Sequence, residues 1–168
     1  MQSSDAAGAS WDLSAETTLV RILAANARLH PHAVAMREKD RGIWQQFTWT
    51  DVLDGVLGCA AGLDQRGLRP REGVLILGDN RPHLYMGMLA LGALGAHAMP
   101  MYHDATPQEI LLVAMEHGVR FVLAEDQEQV DKALDLRARG APIEFIVFDN
   151  PRGLGPYTAE GLNDWRKV

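Results

Sequence analysis

Few side chains in this 168-residue sequence have the type and spacing to do chemistry. His30 and His32 flank Pro31, a spacing that can hold a metal ion, but no third ligand accompanies them and a proline turn between two histidines accounts for the pattern. His97 and His103 bracket the apolar run Ala98 to Met101. Six apart on an extended segment they share a face, although polar contacts at the strand ends explain them equally. Cys59 is alone, so there is no disulfide framework and no cysteine metal cluster. It sits inside a helical pattern, where a small core residue is expected rather than a nucleophile. The last serine is Ser14, which removes a serine nucleophile from the folded part, and no G-x-x-x-x-G-K-[ST] loop occurs. Lys39, Lys132 and Lys167 are the only lysines, and none has a glycine-rich context. Asp104, Asp126 and Asp149 follow strand candidates, where open α/β sheets keep their ligand crevice. Helix caps fall at the same places, so no catalytic or metal-binding residue is assigned, and no cofactor-binding residue is named.

The element that must position these residues runs from Gly73 to Asp104. Val74 to Leu77 is a continuously apolar run, as in a strand buried on both faces. Asp79-Asn80-Arg81-Pro82 is a polar break that can cap a helix, with Pro82 suited to the first turn. No residue from Leu84 to Ala96 is charged, so this helix is expected to be buried nearly all round. Gly87, Gly92 and Gly95 are expected to admit close neighbours. Ala98 to Met101 completes a strand–helix–strand crossover. A membrane span is not expected, because three glycines, His97 and Pro100 interrupt the apolar stretch. The glycines do not spell G-x-G-x-x-G, so no dinucleotide fingerprint is present.

Elsewhere the patterns alternate. Met1 to Glu16, rich in Ser, Ala and Gly, is expected to be a disordered leader. Thr17 or Thr18 can cap a first helix that His30-Pro31 ends. Ala33–Arg37 and Ile43–Trp49, joined by a charged turn from Glu38 to Gly42, predict a β-hairpin. A helix from Asp51 to Arg66 is expected, capped by Thr50, stopped by Gly67, with Val52, Leu53, Val56, Leu57, Ala60 and Leu63 as its apolar stripe. Gly58 and Gly62 suggest close helix packing. Thr106-Pro107-Gln108-Glu109 is a capping box with proline at the first helical position. Strand Val119–Ala124 follows, then a helix from Asp126 to Arg139 with Lys132, Arg137 and Arg139 towards its negative end. Ile143 to Phe148 is a further strand. Asn150 to Tyr157 is a loop, and Thr158 can cap a short last helix, Ala159 to Trp165. Four strands and three helices alternating from Val74 to Phe148 predict an α/β fold: a doubly wound, mainly parallel sheet with helices on both faces, plus the N-terminal hairpin.

Composition narrows the function classes. Apolar residues are 47%, which is globular, and the length suits one domain. The net charge of −6 without a basic block argues against nucleic acid as a partner. The first 20 residues hold no Lys or Arg and no apolar core, so no secretory signal is expected, and a lone cysteine fits a cytoplasmic setting.

The passage Gly73-Val-Leu-Ile-Leu-Gly-Asp-Asn-Arg-Pro82, then Leu89-Ala-Leu-Gly-Ala-Leu-Gly-Ala96 and Pro100-Met-Tyr102, resembles the adenylate-forming (AMP-binding) ligases. These include the AMP-forming acyl-CoA synthetases and their luciferase and peptide-synthetase relatives. Their N-terminal region reads strand, G-E-N-R-P-E-W, helix, A-x-x-A-G-A, strand, V-P-L-Y/N. Thr48-Trp49-Thr50-Asp51-Val52-Leu53 resembles the family's T-W-x-E/D-L helix start, and the likeness extends from Thr17 to Asn150. It implies an N-terminal portion only: a leader at 1–16, an α/β subdomain at 17–150, and at 151–168 a loop leading into a following region. In the family, the phosphate loop, the adenine and ribose contacts and the catalytic lysine come later. The resemblance implies a parent enzyme in which a carboxylate, expected to be a fatty acid, attacks ATP to give acyl-AMP, and CoA then takes the acyl group, with ATP, Mg and CoA as its cofactors. This chain alone would be an inactive scaffold, partnered by the remainder of the ligase, with an exposed apolar surface available for self-association. Arg81 and Tyr102 match family positions without matching catalytic ones. The rival expectations are a self-contained flavodoxin-like binding or regulatory domain, and an interaction module built on the helix Leu84 to Ala96.

Overall fold

The computed structural model describes residues 17–168, so the expected leader at 1–16 lies outside the described residues. Helix α1 (Leu19–Leu29) precedes an antiparallel hairpin, β1 (Val34–Asp40) and β2 (Ile43–Thr48). Then follow α2 (Trp49–Gln65), β3 (Gly73–Leu77), α3 (Pro82–Leu94), β4 (His97–Met101), α4 (Pro107–Glu116), β5 (Phe121–Ala124), α5 (Gln127–Ala138), β6 (Phe145–Phe148) and β7 (Leu162–Asp164). Strands β3 to β7 form one sheet in the order β4-β3-β5-β6-β7, and every pairing is parallel. The expected doubly wound architecture is therefore present.

Alternation along β3 explains its unbroken apolar run. Val74 and Ile76 face one core, shared with α1, α2 and α3; Leu75 and Leu77 face the other, shared with α4 and α5. A strand covered on both faces cannot show a polar side. Among the described residues, no helix is long and apolar enough to cross a membrane.

Local chemistry moved several boundaries. The hairpin strands continue through the charged residues, and the turn is only Arg41-Gly42, both at positive φ (48° and 83°), the pattern that suits the twist of a two-residue hairpin. Helix α2 is capped by Thr48, not Thr50. Asp51 lies three residues beyond Thr48, its carboxylate accepts the Thr48 N–H at 2.8 Å, and Thr48 accepts the Asp51 N–H at 3.2 Å. Thr50 instead donates to the Pro31 carbonyl. Leu57 is half exposed, outside the buried stripe.

Helix α3 starts at Pro82, in the first turn as expected, but is not buried all round. Tyr85, Gly92 and Ala93 are exposed. Its three glycines have three roles. A Cβ at Gly87 would collide with Leu123 Cδ1, Gly92 has only Val20 Cγ2 at 4.0 Å, and Gly95 is the left-handed cap at φ 69°. In α2, Gly58 faces open space and Gly62 abuts Val168; the close approach to α3 is at Gly55, against the Met86 sulfur. Lys132 does not sit at the negative end of α5. It reaches back to the His103 carbonyl and to Glu128.

The expected last helix, Ala159 to Trp165, is corrected to strand β7 and a single 3₁₀ turn, Trp165–Lys167. Tertiary bonds decide this. Ile146 N–H donates to the Gly161 carbonyl at 2.8 Å, and Arg137 donates to the carbonyls of Ile143, Glu144 and Glu160. These contacts draw residues 162–164 into register beside β6.

Candidate functional site

The chain leaves β3 for β4 and returns past β3 to β5, so the carboxyl ends of β3 and β5 flank the switch point where open α/β sheets hold ligands. Here the protein fills that crevice itself. Gly78, at φ 144°, follows β3, and a Cβ there would lie 2.5 Å from Glu125 Cβ. Glu125 follows β5 directly. Its carboxylate accepts the Asp79 N–H at 2.6 Å and the Arg81 Nε–H at 2.7 Å. Arg81 also lies 3.6 Å from Glu38 of the hairpin. The bond from Glu125 raises the Arg81 pKa further. Burial, with Asp149 close by, pushes the Glu38 carboxyl up against the opposing pull of Arg81. The pair thus ties together the sheet end, the entrance to α3 and the hairpin.

Beside this clamp, His83 of α3 lies between the rings of Phe47, edge-on at 5.6 Å, and Trp165, tilted at 5.2 Å. Its Nδ1 is 2.7 Å from Asp149 Oδ1, an ion-pair distance without hydrogen-bond geometry. The 3₁₀ turn that brings Trp165 here is capped by Asp164, and Arg166 donates back to that carboxylate, holding it below its ordinary range.

On the outer side of β3 opens a cleft of about 420 Å³. Ile76, Leu84, Met88, Pro100 and Met101 make it apolar, and Tyr85 and Tyr102 line it as well. At its polar part Tyr85 donates to Asn80 Oδ1 at 2.9 Å, and His103 Nδ1 stands 3.3 Å from Asp79. The cleft can bind, but it presents no serine, cysteine or lysine as a nucleophile.

The residues singled out in the sequence are not brought together. His97 begins β4 and His103 follows its far end, so the rest of the strand, 98–101, and Tyr102 separate them and they share no site. His30 closes α1 through its backbone N–H to Asn26. Among the described residues, no three His, Cys, Asp or Glu side chains gather in a metal-binding group. Asp126 caps α5, Asp149 faces His83, and Asp104 is exposed because Thr106 supplies the cap of α4. Cys59 is buried at 4% exposure, which pushes its thiol up to about 12, the state of an inert core residue. Arg81 is engaged by Glu125, and Tyr102 is 85% exposed. Sequence reasoning missed Glu125, Glu38 and His83. A signal existed for the first: a glycine just past one strand and an acid just past another, at strand ends that the topology places side by side.

The model of the family described as AMP-binding enzyme matches residues 23–166. This chain belongs to that family. It is 32% identical over 131 residues to the uncharacterized protein Rv1549 of Mycobacterium tuberculosis, covering 78% of this chain and 71% of that one. To 4-coumarate–CoA ligase 2 of Nicotiana tabacum it is 29% identical over 84 residues, 48% of this chain and 15% of the other. Among solved structures, it matches the anthranilate CoA ligase AuaEII at TM-score 0.70 and 21% identity, covering 77% of this chain and 24% of that one. It matches a long-chain-fatty-acid CoA ligase from Rhodopseudomonas palustris, described there as putative, at TM-score 0.73 and 20% identity, covering 90% and 36%. The fold is that of the N-terminal portion of adenylate-forming ligases, and the chain spans about a quarter to a third of these solved enzymes.

Proposed function

We propose that this chain is the opening α/β unit of an AMP-forming acid–thiol ligase. In the whole enzyme a carboxylate, with a fatty acid favoured, attacks the ATP α-phosphate to give acyl-AMP and pyrophosphate, and the CoA thiol then displaces AMP; the setting is cytoplasmic. The observation that carries this reading is the family match, which runs from 23 to 166 across the βαβ unit holding Gly78-Asp79-Asn80-Arg81-Pro82.

Within that reaction the chain's own part is scaffold. Magnesium supplies charge screening on the phosphates of the whole enzyme. The residues present do not fit ATP or its metal. The switch-point crevice holds the Glu125 carboxylate, which would repel a phosphate, and its N–H and guanidinium donors are already engaged. Charge developing on departing pyrophosphate must meet preorganised donors, and this sequence has no serine beyond Ser14 and no glycine-loop lysine. The test is pyrophosphate release from ATP and magnesium with a panel of carboxylic acids, using chain purified free of host ligases. No acid-dependent turnover is expected; turnover that survives purification would overturn the scaffold assignment. A coding sequence that continues into a Ser/Thr/Gly-rich loop followed by lysine would support the ligase reading.

The mycobacterial relative, matched over 71% of its length by 131 residues, is itself short. That favours a second reading, a self-contained flavodoxin-like binding domain. The filled crevice counts against it. Titration with flavin and adenine nucleotides separates the two, since saturable binding at the switch point requires Glu125 to leave.

A further inference from the structure

We infer that the opposite pole of the sheet carries a second site, a cleft that binds a phosphate-type oxyanion. It lies at the amino ends of β3, β4 and β5, has a volume of about 530 Å³, and is lined by Arg71, Glu72, His97, His117 and Arg120 among others. Four of these five side chains are basic in type, in a chain of net charge −6. The one carboxylate in the lining is already engaged. Glu72 Oε2 accepts the Arg69 N–H at 2.7 Å, and Oε1 accepts from Arg120 at 2.9 Å. Arg120 is further held by Glu144 at 2.9 Å.

Arg71 is the free cation of the group. Among the described residues it has no carboxylate partner, and its one hydrogen bond is from its backbone N–H to the Gly95 carbonyl at 2.8 Å. Its φ is +70°, a region that non-glycine residues enter at a cost and that surrounding structure must hold. That backbone presents an unpaired guanidinium at the cleft. The carbonyl ends of α3 and α4 also point to this pole and would oppose an anion. They are partly satisfied: Leu91 O accepts from Ala96, Gly95 O from Arg71, and Ala114 O from Val119. What remains is a fork donor and two imidazoles, the recognition chemistry of an oxyanion. This inference does not depend on the ligase reading.

The experiment uses the purified chain with two probes, inorganic pyrophosphate and vesicles of phosphatidylcholine with or without phosphatidylglycerol. Pyrophosphate binding is read by calorimetry and by the His97 and His117 imidazole resonances, and vesicle binding by co-sedimentation. Saturable pyrophosphate binding that moves both imidazole signals is expected, with Arg71→Gln weakening it about tenfold, the effect of one lost charged hydrogen bond. Arg28→Gln, on α1 away from the cleft, should leave it unchanged. Binding only to phosphatidylglycerol vesicles, with the same Arg71 dependence, supports the site and identifies a lipid headgroup as its source. No binding in either arm, or binding that Arg71→Gln leaves intact, overturns the inference. If Arg71→Gln fails to fold, Arg71→Gly, which suits the left-handed backbone, gives the same reading.

Discussion

Helix α3 on one face of the parallel sheet and helices α4 and α5 on the other are of opposite design. On one face α3 carries no charged residue between Leu84 and Leu94, has no side-chain cap, and is placed by contacts: Leu91 is fully buried and Gly87 admits Leu123. On the other, α4 and α5 start with side-chain caps. Thr106 and Glu109 form a reciprocal box, and Asp126 accepts the Gln129 N–H. Their buried residues form a narrow stripe, Ile110 and Ala114 on α4, and Gln129, Val130, Ala133 and Leu136 on α5. Helix α3 is specified by shape, whereas α4 and α5, like α2 with its Thr48–Asp51 box, are started by local hydrogen bonding, so the same size of change should act differently on each.

The largest effect tests the packed face. Leu91→Asp puts a bare carboxylate at a site with no accessible surface. The cost of several kcal/mol is comparable to the stability of a whole domain, so loss of the folded dispersion in an amide NMR spectrum is expected. A wild-type melting curve would break the comparison. Next, Gly87→Val must displace the buried Leu123 side chain and should destabilise by about 1–3 kcal/mol in urea titration. On α4, Thr106→Ala removes the acceptor for Glu109 N–H and should cost about 1 kcal/mol by the same measurement. Gly92→Ala sharpens the contrast within α3 itself. The site is exposed with its nearest atom at 4.0 Å, so the alanine should stabilise by about 0.5–1 kcal/mol.

The smallest effect is a pH dependence. The Thr106 backbone and side-chain bonds hold the Glu109 carboxyl below its ordinary 4.5, and the Thr48 bonds hold Asp51 below 3.8. A carboxyl depressed in the folded state stabilises above its unfolded value and loses that contribution as pH falls through the folded one. Stability should therefore decline below about pH 4.5, and Thr106→Ala should flatten part of that decline. The larger hold on Glu109, from the Thr106 backbone N–H, survives that substitution, so the full test is Glu109→Gln, and an acid limb unchanged there would mean that the box contributes nothing to α4.

Much of the fold was legible because its signals are local. The runs Val74–Leu77 and Ile143–Phe148, the box at Thr106 and the proline at Pro82 each act within a few residues, and the ladder and helices follow them. The cap of α2 was legible in principle too, since Asp51 stands three residues after Thr48. Strand β7 was not. Residues 162–164 become a strand because Arg137 and Ile146, remote in sequence, hold Gly161 and its neighbours beside β6.

The candidate site divides the same way. Sequence by itself determined the parallel α/β class, the absence of a nucleophilic serine beyond Ser14 and the core role of Cys59, because these depend on residue type and short spacing, while the family showed through a resemblance in the order of motifs from Gly73 to Tyr102. Only the tertiary structure decided that Glu125 fills the crevice beside Gly78, that His83 meets Asp149, and that His97 and His103 lie at opposite ends of a strand. Residues 44 apart, such as Arg81 and Glu125, acquire a relation only when the topology sets their strand ends side by side. The energy of that contact depends on distance and burial, which no short window of sequence contains.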